Sequence, residues 1–246
     1  MCRLFGQHAP PDLDRCEALC SAPNALRFQS HRHPHGWGIA WYQGGHVRVE
    51  RGLLPAHADQ AFVEAARAAR SRVVIAHVRD ASVGPVSEAN THPFVHGRWI
   101  FAHNGTVSRF KEVARVRSQI EAEIDPALRR TLRGETDSER CFMLFLTLLE
   151  GRRSAAPATL AQVERALRAT TTTLCRLADR PSARPSSLNF LVTDGRVLAA
   201  SRLGRDLHVA VAAGGEGAFV VASEPIGHAT WKVVPEGAVV GYDGDG

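Results

Sequence analysis

Lysine is nearly missing from this 246-residue chain: of 30 basic side chains only Lys111 and Lys232 are lysines, and the rest are arginines. The formal charge of +5 invites a nucleic-acid reading. The arginines are scattered, however, and aromatics make up only 7% of the chain. The arginine-aromatic interleaving of a single-strand groove is therefore absent, and no nucleic-acid partner is expected. The arginine excess reads as base composition. No apolar run approaches the roughly 20 residues that span a bilayer, so no membrane association is expected. Arg3, Gln7 and His8 interrupt the start of the chain before a signal-peptide core can form, which predicts a cytoplasmic protein. Five cysteines at irregular spacing exclude a disulfide framework. Cys16, Cys141 and Cys175 fall in helical patterns, as small apolar residues would. No internal repeat and no linker divide the chain, which predicts one domain.

What is present alternates between two periods. A first strand is expected over Cys2–His8. GWGIAWYQGGHVRVERG reads as a hairpin, with strands Trp37–Tyr42 and Val47–Arg51 around Gly44-Gly45. Residues 58–70 carry helical spacing. RVVIAHVR (Arg72–Arg79) and RWIFAHNG (Arg98–Gly105) are buried-strand patterns that end in polar tips. The segment before the hairpin, residues 13–26, predicts a helix around Arg15–Cys20. Helical spacing returns over 111–133, over 138–150 with Ser138 near the N-cap, and over 156–178. After the loop 180–187 the period is two again, with a hairpin at Asp194-Gly195 and short strands near 208–212, 218–222 and 238–242. Strands, central helices, then strands predict an α+β fold with mainly antiparallel sheets, and not a βαβ nucleotide fold.

Polar residues collect where the strands end. Arg79 follows a buried strand, Asn90, Thr91 and His92 lie in one loop, Asn104-Gly105 tips another strand, and Asp137 precedes a helix. Singly, each has an ordinary structural role: Asn-Gly is a turn dipeptide, and Asp137 could cap its helix. Together they match the needs of attack on an amide. Cys2 supplies a thiol. Once Met1 is trimmed, the Cys2 α-amine, with an ordinary pKa of about 7.7–8.0, is suited to act as base and then acid. The Asn104 amide and the Gly105 N–H could hold an oxyanion. Arg79 could grip a carboxylate bidentately, and Asp137 an ammonium. A substrate with α-carboxylate, α-ammonium and a cleavable amide is glutamine or a γ-glutamyl compound.

Cys2, HVRDAS, NTHPF, HNGTV and ETDSE, in this order, resemble the class II (N-terminal-nucleophile) glutamine amidotransferases. HPHGWGIAWY and EPIGHATWKVVPEGAVV resemble the short, stand-alone branch of YafJ-like proteins and the γ-glutamyl hydrolase of ergothioneine biosynthesis. The resemblance spans nearly the whole chain. It implies a four-layer αββα Ntn-hydrolase sandwich over residues 2–246, removal of Met1, and Cys2 as nucleophile with its α-amine as base. It implies Asn104 and Gly105 as the oxyanion pair, Arg79 for the carboxylate and Asp137 for the ammonium. Ser82 falls where related enzymes place a hydroxyl near the carboxylate, and His92 lies in the supporting HPF loop. No cofactor and no metal are implied.

Two further expectations follow from the resemblance. The branch reads DGWG where this chain reads HGWG, so His35 replaces an acid near the nucleophile. With no synthase domain after the last strand, either a separate protein accepts ammonia or water accepts the acyl group. Two rivals stand beside this reading. One is a catalytically inactive Ntn-fold regulatory protein. The other is a metal-binding protein using His31, His33 and His35 with His92 and His96, whose Cys16-x3-Cys20 lacks a second half.

Overall fold

In the computed structural model the described residues are 2–10, 15–150, 157–211 and 218–244. Among these residues twelve strands form two sheets. The first contains β1 (Arg3–His8), β2 (Trp37–Gln43), β3 (His46–Gly52), β4 (Val73–Val78), β9 (His208–Val211), β10 (Phe219–Ala222) and β11 (Lys232–Val233). Its order is β11-β9-β10-β1-β4-β2-β3. The second contains β5 (Phe94–His96), β6 (Trp99–Thr106), β7 (Ser187–Thr193), β8 (Val197–Ser201) and β12 (Val239–Asp243), in the order β12-β8-β7-β6-β5. Every strand pairing is antiparallel.

The layering follows from the two-residue alternation of side chains along buried strands. In β4, Val73 and Ile75 join Leu4 of β1 in the core between the sheets, with Ile100 and Ala102 of β6 and Leu191 of β7. The intervening Val74, Ala76 and Val78 face outward, where Phe62, Val63 and Ala66 of α2 (Gln60–Ala68) and Leu26 of α1 (Leu26–Gln29) cover them. On the second sheet Phe101, Phe190 and Val192 face outward against α3 (Ala114–Glu123), α5 (Asp137–Leu148) and α6 (Leu160–Ala178). Phe101 stacks on Phe142 of α5 with ring centroids 5.1 Å apart. Three apolar clusters thus fill the three interfaces of an αββα sandwich, as the family resemblance implies.

Local chemistry sets the element ends. Gly44 and Gly45 take φ of 58° and 78°, which a two-residue hairpin turn requires. Asp59 caps α2 by accepting the Ala61 N–H at 3.0 Å, and its other oxygen accepts the Trp37 indole N–H at 2.8 Å. Thr159 and Gln162 form a reciprocal capping box at the start of α6. The charged stretch 111–133 is not one helix: it divides into α3 and α4 (Pro126–Arg129), with Pro126 at the first helical position and Asp125 capping by accepting the Ala127 N–H at 2.8 Å. α5 is capped by Thr136 rather than Ser138, because Asp137 already lies inside the helix. Near the N-terminus the expected helix closes as a π-helical turn, Glu17–Ser21. Residues 13, 14, 156 and 212 of the expected elements lie outside the described residues. Strands β5 and β11 were not foreseen. Cys141 is buried, while Cys16 and Cys175 are part-buried at the edges of their clusters.

Candidate active site

Cys2 immediately precedes β1, the strand paired on one side with β10 and on the other with β4. Arg3 lies opposite Val78, so Cys2 falls beside the residues that follow β4. The Cys2 Sγ accepts the Asp80 N–H at 3.4 Å and lies 3.5 Å from the Asp80 carbonyl. Burial pushes the thiol above its ordinary value, and the Asp80 N–H works against that by favouring the thiolate.

The second wall comes from β6. Asn104 shares the inter-sheet face with Ile100 and Ala102, and its Nδ2 donates to Ser223 Oγ at 3.1 Å. Ser223 Oγ also accepts the Leu4 N–H at 2.9 Å, and the Ser223 N–H donates to the Leu4 carbonyl at 3.0 Å. One hydroxyl therefore joins the strand after Cys2 to the amide of Asn104, and the second Nδ2 hydrogen is left to point elsewhere. Gly105 follows on the other face. A Cβ there would sit 1.9 Å from the Ser187 carbonyl oxygen, so only glycine lets β6 lie this close to β7.

Cys2, Ser82, Asn104 and Gly105 line one cleft of about 220 Å³, together with Asp80, Thr106, Arg184 and Arg205. A smaller recess of about 20 Å³ is lined by Cys2, Arg79, Ser82, His92, Gly105 and Asp137, with His103 and Thr136. That space is on the order of one water. All seven residues singled out from sequence thus border these two adjoining spaces. Arg79 is buried and donates to the carbonyls of Pro85 at 3.0 Å, Val83 at 3.1 Å and Gly84 at 3.4 Å. These contacts engage at most three of its five donors. Asp137 lies in the first turn of α5, where the helix dipole favours an anion, and its carboxylate accepts the N–H groups of Val107 at 2.8 Å and Ser138 at 3.0 Å. Ser82 is exposed at the rim.

Three histidines lie under the site. His77 and His92 are buried and stacked, with ring centroids 4.2 Å apart. None of their four ring nitrogens meets a hydrogen-bond partner. Burial drives the His77 pKa down to about 3, with Arg79 and His103 adding to the effect. His92 is held well below its ordinary range by burial, then by its neighbours His77, His103, Arg79 and Arg51. His103 bridges Ser138 Oγ at 2.9 Å and the Ser187 carbonyl at 3.1 Å. His103 and Ser223 escaped the sequence reading. His103 sits inside the quoted AHNG motif, and the polar tip of β10 at Ser223 was the available signal.

The histidines of the metal reading diverge. His35 sits against Asp80, with its Nδ1 3.2 Å from the carboxylate and accepting the Ala81 N–H at 3.1 Å. The substituted residue therefore braces the segment after β4 that touches Cys2. His33 is buried, its pKa lowered to about 4 by burial and then by Arg3. His31 stacks on His57 at 3.8 Å. Among the described residues no group of three or more histidines, cysteines or acids is arranged to hold a metal ion.

Two antiparallel sheets between helical layers, with a cysteine leading the central strand and an Asn-Gly pair facing it from the other sheet, define the Ntn-hydrolase class of architecture. Residues 1–214 match the family described as glutamine amidotransferases class-II, and the chain belongs to that family. The Escherichia coli (strain K12) protein YafJ is 30% identical over 207 residues, covering 81% of this chain and 72% of YafJ. The γ-glutamyl-hercynylcysteine sulfoxide hydrolase of Mycobacterium tuberculosis (strain CDC 1551 / Oshkosh) is 39% identical over 97 residues, 35% of this chain and 42% of that protein. The chain spans 34–50% of the length of three of the curated relatives it matches. In fold it is similar to the solved glutamine aminotransferase class-II domain protein of Silicibacter pomeroyi. The TM-score is 0.68 at 22% identity, over 99% of this chain and 96% of that one. Among the described residues no helix is long and apolar enough to cross a membrane.

Proposed function

We propose that this chain is a glutamine amidotransferase or γ-glutamyl amide hydrolase that works through a thioester on Cys2. Processing at Met1 leaves a single domain of residues 2–246 with Cys2 first, so that one residue carries both nucleophile and base. The thiol proton passes to the α-amine, and the sulfur bonds to the substrate's δ-carbon. The carbonyl electrons move onto oxygen, where the free Nδ2 hydrogen of Asn104 and the Gly105 N–H stabilise them. Collapse breaks the C–N bond as the α-ammonium returns its proton to the leaving nitrogen. Water then cleaves the thioester, releasing glutamate and restoring the thiol. Arg79 holds the substrate carboxylate with Ser82 beside it, Asp137 holds the ammonium, and His92 supports the recess wall. The reaction needs no metal or other cofactor.

The observation that carries this reading is the convergence of Cys2, Asn104, Gly105, Arg79 and Asp137 around two joined spaces, from four separate stretches of sequence. The reading extends to a cytoplasmic enzyme whose acyl acceptor is water or whose ammonia passes to a separate protein. Intact-mass spectrometry with 6-diazo-5-oxo-L-norleucine tests it. Loss of Met1 and one adduct mapped to Cys2, missing in Arg79→Ala, are expected. Retained Met1, or a trimmed protein that never labels, moves the assignment to the inactive regulatory reading.

A further inference from the structure

The first sheet ends in β3 and β11, the second in β5 and β12. At three and two residues, β5 and β11 offer little to a neighbour. β12 has five residues, and its one charged side chain, Asp243, is held by Arg196 at 3.3 Å. β3 runs for seven residues and among the described residues pairs only with β2.

The hairpin fixes which backbone groups of β3 are spare. A two-residue turn closes on a hydrogen-bonded pair, here Gln43 and His46, and the pairs then alternate along the ladder. His46, Arg48 and Glu50 therefore direct their N–H and C=O groups toward β2, while Val47, Val49 and Arg51 direct theirs outward. Among the described residues no further backbone hydrogen bond reaches those outward groups. The side chains divide in the same way. Val47 and Val49 are half-buried at the margin of the seam between the sheets, and Arg48 and Glu50 are exposed on the opposite face. Neither charge has an ionic partner among the described residues. Two steps of strand rise, about 6.7 Å, keep them from pairing with each other.

Laid antiparallel on itself about Val49, β3 is its own complement. Val49 meets Val49, Arg48 meets Glu50 on both sides of the axis, Val47 meets Arg51, and His46 meets Gly52, which has no side chain to obstruct it. Sliding the register by two residues sets Arg48 against Arg48 or Glu50 against Glu50, so the charges select one register. Directly after β3, Leu53 and Leu54 are 46% and 60% exposed. The selected register carries them beside the Gly44-Gly45 turn of the second copy, where an added Cβ would meet nothing within 4 Å.

We propose that β3 is the interface of a homodimer, in which two copies join edge to edge about a twofold axis at Val49. The outward groups exchange about six backbone hydrogen bonds, and an Arg48–Glu50 ion pair forms on each side of the axis. The two seven-stranded sheets become one continuous sheet. None of these β3 residues lines the spaces at Cys2, so the interface is independent of the thioester reading.

Sedimentation velocity on the full chain at ~100 μM tests it, since an interface of even micromolar Kd is mostly paired there. The wild type is expected at twice the 26.7 kDa of one chain. Arg48→Glu brings two acids together and Glu50→Arg two arginines, and each alone should weaken the dimer by about tenfold or more. The double variant Arg48→Glu/Glu50→Arg should pair again. An equimolar mixture of the two single variants should form a mixed dimer, because each supplies the charge that the other lacks. A monomeric wild type, or a dimer indifferent to both single reversals, overturns the proposal. So does dissociation by the single reversals that neither the double variant nor the mixture restores.

Discussion

His77 and His92 give this protein a calculable sensitivity to mild acid. Both rings are buried and neutral in the folded chain, with pKa values far below the ordinary 6.5. In the unfolded chain both recover a value near 6.5. Above pH 7 neither state binds the protons, and the neutral rings cost nothing. Below 6.5 the unfolded state takes up two protons that the native state refuses, so stability falls as pH falls, down to about pH 3 for His77. Each group contributes about 1.4 kcal/mol per pH unit well inside that window, and lowering the pH from 7.0 to 5.5 removes about 1.25 kcal/mol per group, ~2.5 kcal/mol for the pair. His33, with a folded value of about 4, adds a loss of the same sign. Carboxylates such as Glu224, whose pKa is depressed from 4.5, act only at lower pH and do not confuse the reading. Urea unfolding at pH 7.0, 6.25 and 5.5 gives the free energy at each point. His92→Gln should flatten the slope by about one group's share. A wild-type stability unchanged between pH 7.0 and 5.5 would refute the claim that these rings are folded neutral.

Other perturbations test the site's scaffolding. Ser223→Ala leaves the Leu4 N–H and the Asn104 amide without their shared acceptor. It should cost about 1–3 kcal/mol in urea unfolding and lower kcat at least tenfold with little change in KM, while Ser223→Thr keeps most activity. Gly105→Ala forces a Cβ against the Ser187 carbonyl, and a loss above about 2 kcal/mol is expected, seen as a lowered melting temperature. Thr136→Ala removes the cap of the helix that carries Asp137. It should cost about 1 kcal/mol and raise KM for the γ-glutamyl donor more than it lowers kcat.

The sequence disclosed those parts whose signals are local. The continuous apolar runs in RVVIAHVR and RWIFAHNG marked β4 and β6 because both faces of each strand are buried, leaving few polar interruptions. The helices α2, α5 and α6 showed because one face packs on a sheet. The strands β5 and β11, three and two residues long, carry no period to detect and exist only through their partners. The charged stretch that divides into α3 and α4 looked continuous because Pro126 can begin a helix as readily as end one. At the site, residues adjacent to motif strand ends were legible. Ser223 was not, because its role depends on a contact 119 positions away with Asn104.

Cys2 leads a strand of one sheet, and Asn104 and Gly105 end a strand of the other. The distance between attacking atom and charge-stabilising donors is therefore a property of how two slabs slide on each other. Between the slabs lie Leu4, Ile100 and Leu191, and Gly6 meets Leu191 so closely that a Cβ would sit 2.7 Å from its Cδ2. Turnover should therefore respond to changes of methyl-group size deep in the apolar seam, far from any polar atom. Laboratory evolution of this enzyme would find its fine adjustment there rather than among the residues that touch substrate.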